Sequence, residues 1–377
     1  MDAPSLTIGV EEEYLLVDRE SRNLVASPAD GLHDAMHEAL GTQVTQEFLQ
    51  CQVEIGSAPV QTAEEARADL ARLRRAVSGV AEGYGYAIIA ASTHPFAKWR
   101  EQMQTRKERY DGVHADLAQN ARRMLISGCH VHAAIEDPDM RIDLMNQVSY
   151  FLPHLLALSC SSPFWEGEDT GLSSYRLTVM DALPRTGLPD AMPSYGEYSR
   201  FVGTLVDAGC LEDSSKIWWD VRPSSKYPTL EMRVADVCTR VDDAVCIAAL
   251  YQCLLSFLLR LRQGNQRWRH YPNTLIAENR WRAQRYGVTK TLLDLGNGTM
   301  TPVADLVEEL IALIRPDAER LNCVAQVERA RLIAAEGTSA GRQRAVFAAA
   351  TGNGANREEA LRAVVDHLIE ETLDGVA

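Results

Sequence analysis

Positive charge is scarce in this chain. Across 377 residues, 38 lysines and arginines stand against 52 aspartates and glutamates, a formal net charge of −14. That balance works against attraction to nucleic acid or to an anionic membrane surface, where a basic patch is expected, so neither is read as a partner. A CxxC pair is also missing. The eight cysteines, at 51, 129, 160, 210, 238, 246, 253 and 323, are scattered and several sit inside apolar runs. This pattern fits buried thiols in a reducing cytoplasm rather than a disulfide framework. The opening Met1-Asp2-Ala3-Pro4-Ser5 has neither the basic nor the apolar region of a signal peptide. Only one apolar run is long, Ala244 to Leu259. It falls short of the roughly 20 residues a membrane span needs, Gln252 and Ser256 interrupt it, and Asp242, Asp243 and Arg260 flank it in the order of a buried soluble helix.

What is present reads as alternating strands and helices. Strands are predicted over Ser5–Val17, Phe48–Ile55, Tyr86–Ala91 and Met124–Ile135, and as a pair over Ile217–Arg222 and Thr229–Val237. Helices are predicted over Gly31–Leu40, Thr62–Tyr84, Met103–Asn120 and Asp139–Ser159, and over most of the chain after Val241. The Pro-, Gly- and Ser-rich stretch from Ser161 to Tyr198 has little periodicity, and a long irregular stretch of this kind is usually a functional loop. Strands in the first two-thirds with helices between and after them indicate an α+β fold.

Four of these strands share one grammar. Side chains two residues apart lie on the same face of a strand. Glu11 and Glu13 therefore oppose Ile8, Val10 and Tyr14; Gln50, Gln52 and Glu54 oppose Leu49, Cys51, Val53 and Ile55. His130 and His132 oppose Cys129 and Val131, and Glu231 and Arg233 oppose Leu230, Met232 and Val234. If the strands are neighbours, the sheet has one apolar face and one lined with four glutamates, two histidines and an arginine, without lysine. A face simply open to water would be rich in Lys, Thr and Ser. Carboxylates this crowded repel unless cations lie between them, and their hard oxygens suit Mg²⁺ or Mn²⁺. The pattern thus points to a metal or phosphate site. Taken singly, each pair has a plainer reading as a solvated face or a cross-strand ion pair.

The segments Gly9-Val10-Glu11-Glu12-Glu13-Tyr14, Gly128-Cys129-His130-Val131-His132 and Glu231-Met232-Arg233 resemble the glutamate–cysteine ligase type 2 family, the YbdK-like carboxylate–amine ligases. Ser174-Tyr175-Arg176, Leu183-Pro184-Arg185-Thr186-Gly187-Leu188-Pro189 and Glu278-Asn279-Arg280-Trp281-Arg282 support the resemblance, in the same order along the chain. One departure is that Ala133-Ala134, not glycine, follows His132. The resemblance implies a glutamine-synthetase-like catalytic domain over residues 1–377, mainly helical from about residue 241. Its antiparallel sheet of about six strands would form an open cleft, with helices on the apolar face.

The same resemblance implies that ATP and two or three Mg²⁺ ions sit over the polar face, with Glu11, Glu13, Glu54 and Glu231 as metal ligands. His130, His132 and Arg282 would contact the nucleotide or its metals. Arg233, with Glu54, would serve the phosphoryl transfer. Arg176 and Arg185 are candidates for holding a substrate carboxylate, because guanidinium pairs with it through two hydrogen bonds; structural bonding to loop carbonyls is the competing reading. The implied reaction joins a carboxylate to an amine through an acyl phosphate, with glutamate and cysteine as the family-level substrates. A ligase for another amine, a guanidino kinase, a zinc hydrolase using the two histidines and a non-catalytic Mg-nucleotide sensor are the alternatives. A homodimer is the expected assembly.

Overall fold

The computed structural model describes residues 4–105 and 123–376. Seven strands form one sheet: β1 (Ile8–Asp18), β2 (Val44–Gln46), β3 (Gln52–Gly56), β4 (Tyr86–Ile89), β5 (Cys129–Ala134), β6 (Val221–Pro223) and β7 (Thr229–Met232). Their order is β6-β7-β5-β1-β3-β2, and every pairing is antiparallel. β5 pairs with Ile8–Glu12 of β1, and β4 with Leu15–Asp18. The expected α+β class and antiparallel sheet are found, with one strand more than the six anticipated.

The helices of the described residues include α1 (Leu32–Leu40), α2 (Ala63–Glu82), α3 (Pro138–Val148), α4 (Leu152–Ser159), α5 (Arg176–Met180), α6 (Tyr195–Asp207), α7 (Val241–Gln263), α8 (Asn273–Tyr286), α9 (Val303–Arg320), α10 (Val324–Glu336), α11 (Ser339–Gly352) and α12 (Arg357–Thr372). Their ends follow from the sequence. Thr62 with Glu65, and Asn356 with Glu359, form reciprocal capping boxes that satisfy the first free N–H groups of α2 and α12. α7 carries Asp242 and Asp243 in its first turn and Arg260 and Arg262 in its last, matching the helix dipole at both ends. It is the one described helix long and apolar enough to cross a membrane, yet 89% of its apolar window is buried inside the protein. It is a core helix.

The two faces of the sheet pack against different things. Ile8, Val10, Tyr14 and Leu16 of β1, with Val53 and Ile55 of β3 and Val131 of β5, join α1, α2 and α7 in the main core. Full burial of each such aliphatic side chain contributes about 1.5–3 kcal/mol. On the other face, Leu15 and Val17 meet Ala87 and Ile89 of β4 and Leu361, Val364, Val365 and Leu368 of α12 in a second core. Glu11 and Glu13 lie on that second face but outside that core, and there the cleft opens.

Several boundaries differ from expectation. The alternation predicted from Phe48 breaks at Gln52: residues 50 and 51 form a turn, so Leu49 and Cys51 enter the second core while Val53 and Ile55 enter the first. Gln50 consequently leaves the polar face and bonds to the Gln104 carbonyl at 2.9 Å. The helix expected over 103–120 lies, from residue 106 on, outside the described residues. The stretch from Ser161 to Tyr198 holds the short helix α5 and the start of α6. The helical C-terminal part is interrupted by a hairpin, Thr291–Asp294 with Thr299–Pro302.

Candidate active site

Register turns the four polar strands into three cross-strand rows. Thr45, Glu54 and Glu13 form the first. Glu11 lies opposite His130 in the second, which ends in Arg233, Nη1 of that arginine being 3.4 Å from His130 Nδ1. His132, Glu231 and Arg222 form the third. The rows floor a cleft of about 440 Å³. Just beyond β7, the N–H groups of Arg233 and Val234 both donate to the Asp220 carbonyl, at 2.8 and 3.2 Å, the arrangement of a β-bulge. Bulges re-aim a side chain, and this one is where Arg233 leaves the ladder.

Charge is divided within the cleft. Five carboxylates line it, Glu11, Glu13, Glu47, Glu54 and Glu231, and so do five cations, Arg176, Lys216, Arg222, Lys226 and Arg233. Glu231 is gripped by two arginines: Arg222 donates from Nε at 2.9 Å and Nη2 at 3.1 Å, and Arg233 donates from Nη1. Burial opposes ionisation of Glu231, but Arg233, Arg222 and His132 outweigh it and hold its pKa well below the ordinary range. Glu54 behaves oppositely. Burial, then the charges of Glu47, Glu11 and Glu13, push its pKa well above the ordinary value, and Thr45 Oγ1 at 3.0 Å compensates only in part. One end of the cleft is thus short of positive charge while the other has it in excess.

The histidines join these ends. Glu11 lies 3.3 Å from His130 Nδ1 and 3.4 Å from His132 Nε2, and those contacts overcome burial to hold the Glu11 pKa far below normal. Burial, helped by Arg233, lowers the pKa of His130. Burial acts on His132 too, but Glu11 and Glu231 overcome it and leave its pKa raised. His132 Nδ1 also contacts Thr229 Oγ1 at 2.9 Å. Ligand atoms of Glu11, His132 and Glu231 lie within 4.8 Å of one another. His130 Nε2 is buried without a hydrogen-bond partner, as is Arg233 Nε.

These observations fit a divalent cation. Carboxylate oxygens under mutual repulsion and an orphaned imidazole nitrogen are donors that an ion would satisfy. Glu11, His132 and Glu231 bring their ligand atoms together there, Glu231 being also paired with two arginines, and Glu13, Glu54 and His130 line the same cleft.

Most residues expected at the site meet there: Glu11, Glu13, Glu54, His130, His132, Arg176, Glu231 and Arg233 all line the cleft. Arg176 is only 3% exposed, and its guanidinium bonds the carbonyls of Arg233 (3.1 Å) and Val234 (3.4 Å). It packs where Gly128 leaves room: a Cβ on Gly128 would stand 2.5 Å from Arg176 Nη2 and 2.9 Å from His130 Nε2. Arg185 and Arg282 are not among the lining residues. Arg185, in a left-handed conformation at φ 58°, bonds the Lys216 carbonyl at 3.0 Å, and Arg282 bonds Thr291 through its carbonyl and hydroxyl. Lining residues that the sequence pattern did not single out include Glu47, Phe48, Lys216, Arg222, Lys226 and Tyr227. Arg222 carried a signal, being next to Val221 in a predicted strand, but its place opposite Glu231 needs the hairpin register.

Of the supporting segments, only Arg176 reaches the cleft lining, and the other two make contacts around it. Thr186-Gly187 pairs in parallel with Trp218-Trp219, and Arg280 bridges Asp181 and Asp220, the latter at 2.6 Å. Of the eight cysteines, only Cys210 is exposed, and all eight are free thiols. Cys129 lies in the main core, away from the cleft.

Comparison with known proteins gives the family. The family model described as "Glutamate-cysteine ligase family 2" matches residues 7–367. A protein of Rhodospirillum rubrum named "Putative glutamate–cysteine ligase 2" is 58% identical over 377 residues, covering 99% of this chain and 97% of that one. One of the same name from Ruegeria pomeroyi is 53% identical over 365 residues, covering 97% and 94%. Among solved structures, a glutamate–cysteine ligase from Francisella tularensis in complex with AMP superposes with a TM-score of 0.68 at 14% identity, covering 100% of this chain and 91% of that one. A bifunctional glutathione synthetase from Pasteurella multocida gives 0.69 at 14% identity, covering 98% of this chain and 53% of that one. At such identities the structures speak for the fold; the family match over nearly the whole chain says more, and by it this chain belongs to glutamate–cysteine ligase family 2 and is a ligase.

Proposed function

We propose that the chain is an ATP- and Mg²⁺-dependent carboxylate–amine ligase that acts through an acyl phosphate, with glutamate as the acid and cysteine as the amine. The observation that carries this is the division of charge across one sheet face, with Glu11, Glu13 and Glu54 at one end and Arg222 and Arg233 at the other. The chemistry requires both. A carboxylate oxygen forms a bond to the γ-phosphorus of ATP while the bond to ADP breaks, so two anions must be brought together. Mg²⁺ held by these glutamates would neutralise phosphate charge. Arg233 would supply fixed positive charge on the far side. The amine nitrogen then bonds to the carbonyl carbon, phosphate leaves and a proton is released.

Roles divide accordingly. Glu11, Glu13 and Glu54 would hold the cations, and His130, through Nε2, a cation or a phosphate oxygen. Arg176 holds the backbone under Arg233 through the Arg233 and Val234 carbonyls, which makes it a support for the phosphoryl-transfer end. The test is phosphate release from ATP with Mg²⁺ by the purified chain over a panel of acid–amine pairs, glutamate plus cysteine first. Release that requires one such pair is expected, together with its loss in Glu13→Gln. Release without any amine would replace the ligase with a kinase or ATPase, and failure to bind Mg·ATP would sink the reading of the cleft.

A further inference from the structure

Between the two carboxylates that face the cleft stands a third that faces away. Glu12 shares its side of β1 with Val10 and Tyr14 and is fully buried. Its carboxylate is held in the fork of Arg74, Nη2 at 2.5 Å from Oε1 and Nε at 2.9 Å from Oε2, and the Tyr14 hydroxyl donates to Oε2 at 2.5 Å. Neither charged side chain has any exposed surface. The remaining donors of Arg74 reach carbonyls: Nη2 that of Cys238 at 2.8 Å, Nη1 those of Thr239 and, at 3.2 Å, Thr372. Every N–H of the guanidinium is therefore used. Cys238 and Thr239 lie on the segment that leads from Arg233 into α7, and Thr372 ends α12.

Stability alone does not explain this arrangement. A buried ion pair is seldom better than apolar side chains of the same shape, because two charges must leave water. Register does explain it. Shifting a strand by one residue turns every side chain to the opposite face, and normally the hydrophobic pattern forbids it. Three consecutive glutamates weaken that protection at the one place where the cleft needs it. A guanidinium waiting on the core side accepts only the middle carboxylate.

We infer that the Glu12–Arg74 pair is a positioning device. It selects which two of three adjacent glutamates face the cleft, and it ties β1 to the segment that carries Arg233, fixing the acidic end relative to the basic one. The inference rests on the reading of Glu11 and Glu13 as cation ligands given above.

The test is Mn²⁺ binding, followed by electron paramagnetic resonance on the purified full chain, alongside thermal unfolding and steady-state kinetics. The double variant Glu12→Leu, Arg74→Met removes the pair without leaving a lone buried charge. It is expected to unfold cooperatively, at a melting temperature lowered by the Tyr14 hydroxyl and the carbonyls of Cys238, Thr239 and Thr372 that it leaves unpaired, yet at temperatures where it is folded to bind Mn²⁺ about tenfold or more weakly, with kcat falling further than KM for ATP rises. A folded double variant with wild-type Mn²⁺ affinity and kcat overturns the inference. Should it not fold, Arg74→Lys decides: the charge stays and the fork is lost, so Mn²⁺ affinity is again expected to drop, and an unchanged affinity overturns the inference. A wild-type chain that binds no Mn²⁺ overturns the underlying reading, an outcome that the wild-type titration separates from failure of the pair.

Discussion

One strand shows two solutions on a single face. Glu11 and Glu13 of β1 floor the cleft, while Leu15 and Val17, continuing the same face, lie completely buried beneath α12. Geometry does not distinguish these positions, since all four point the same way. What differs is the cover. Leu361, Val364, Val365 and Leu368 of α12 close over the leucine half. The glutamate half is left to His130, His132 and the arginines. The chain thus lays its last helix, α12, over one half of this face and leaves the other half open, which is how one sheet supplies both a core and a site.

The sharpest way to break this comparison is to exchange the chemistries. Leu15→Glu places an unpaired carboxylate in the second core, and a loss of about 4 kcal/mol or more is expected in denaturant unfolding, enough to leave little folded protein. Retention of wild-type stability would mean that α12 does not seal that half. Uncovering it more gently, Leu368→Ala should cost about 2–5 kcal/mol through the cavity it leaves, with kcat/KM preserved at temperatures where the variant is folded. On the other half the pattern inverts. Glu13→Gln keeps an acceptor for the Gly128 N–H, which now lies 2.7 Å from Oε2, and removes one of several repelling charges. Its melting temperature should match or exceed wild type, while phosphate release falls about 100-fold. A variant that loses stability but not activity would reverse the roles of the two halves.

Much of this was legible because a strand has a period of two. Glu11, Glu13, His130, His132, Glu231 and Arg233 announce a polar face without any knowledge of neighbours, and α7 announces a core helix through its flanking charges. Features that depend on register or on turns were not legible. Arg222 becomes a cleft residue only when the hairpin sets it opposite Glu231. Glu47 precedes β3 in a stretch with no periodicity, and the turn at residues 50 and 51 reversed the face of Gln50. Glu12 was read merely as the middle of a motif, since no local pattern reveals that Arg74, 62 residues away, waits for it beneath the sheet. The segments containing Arg185 and Arg282 are distinctive in sequence, yet in the structure these arginines bond backbone and threonine oxygens away from the cleft wall. A distinctive motif identifies a fold's joints as readily as its chemistry.

The smallest effect is the most specific to the glutamate half. Because Glu54 is buried beside Glu47, Glu11 and Glu13, its folded-state pKa lies above the ordinary 4.5. Between those two values the folded chain binds a proton that the unfolded chain has lost, so the associated stability is complete below 4.5 and disappears as pH rises through the raised value. Glu11 and Glu231 carry the opposite sign: their folded pKa values are depressed, and their contribution is present above 4.5 and lost as pH falls. The metal-free chain should therefore lose melting temperature on both sides of an optimum, and on the alkaline side Glu54 contributes together with His132 and Asp236, whose pKa values are also raised. Glu54→Gln should flatten the alkaline side while leaving the acid side in place. Mg²⁺ should also flatten it in the wild type, because a cation among these carboxylates favours the ionised form and removes the reason for holding the proton. An alkaline slope that neither the substitution nor the metal makes shallower would place its origin in groups other than Glu54 and separate the repulsion at Glu54 from cation binding.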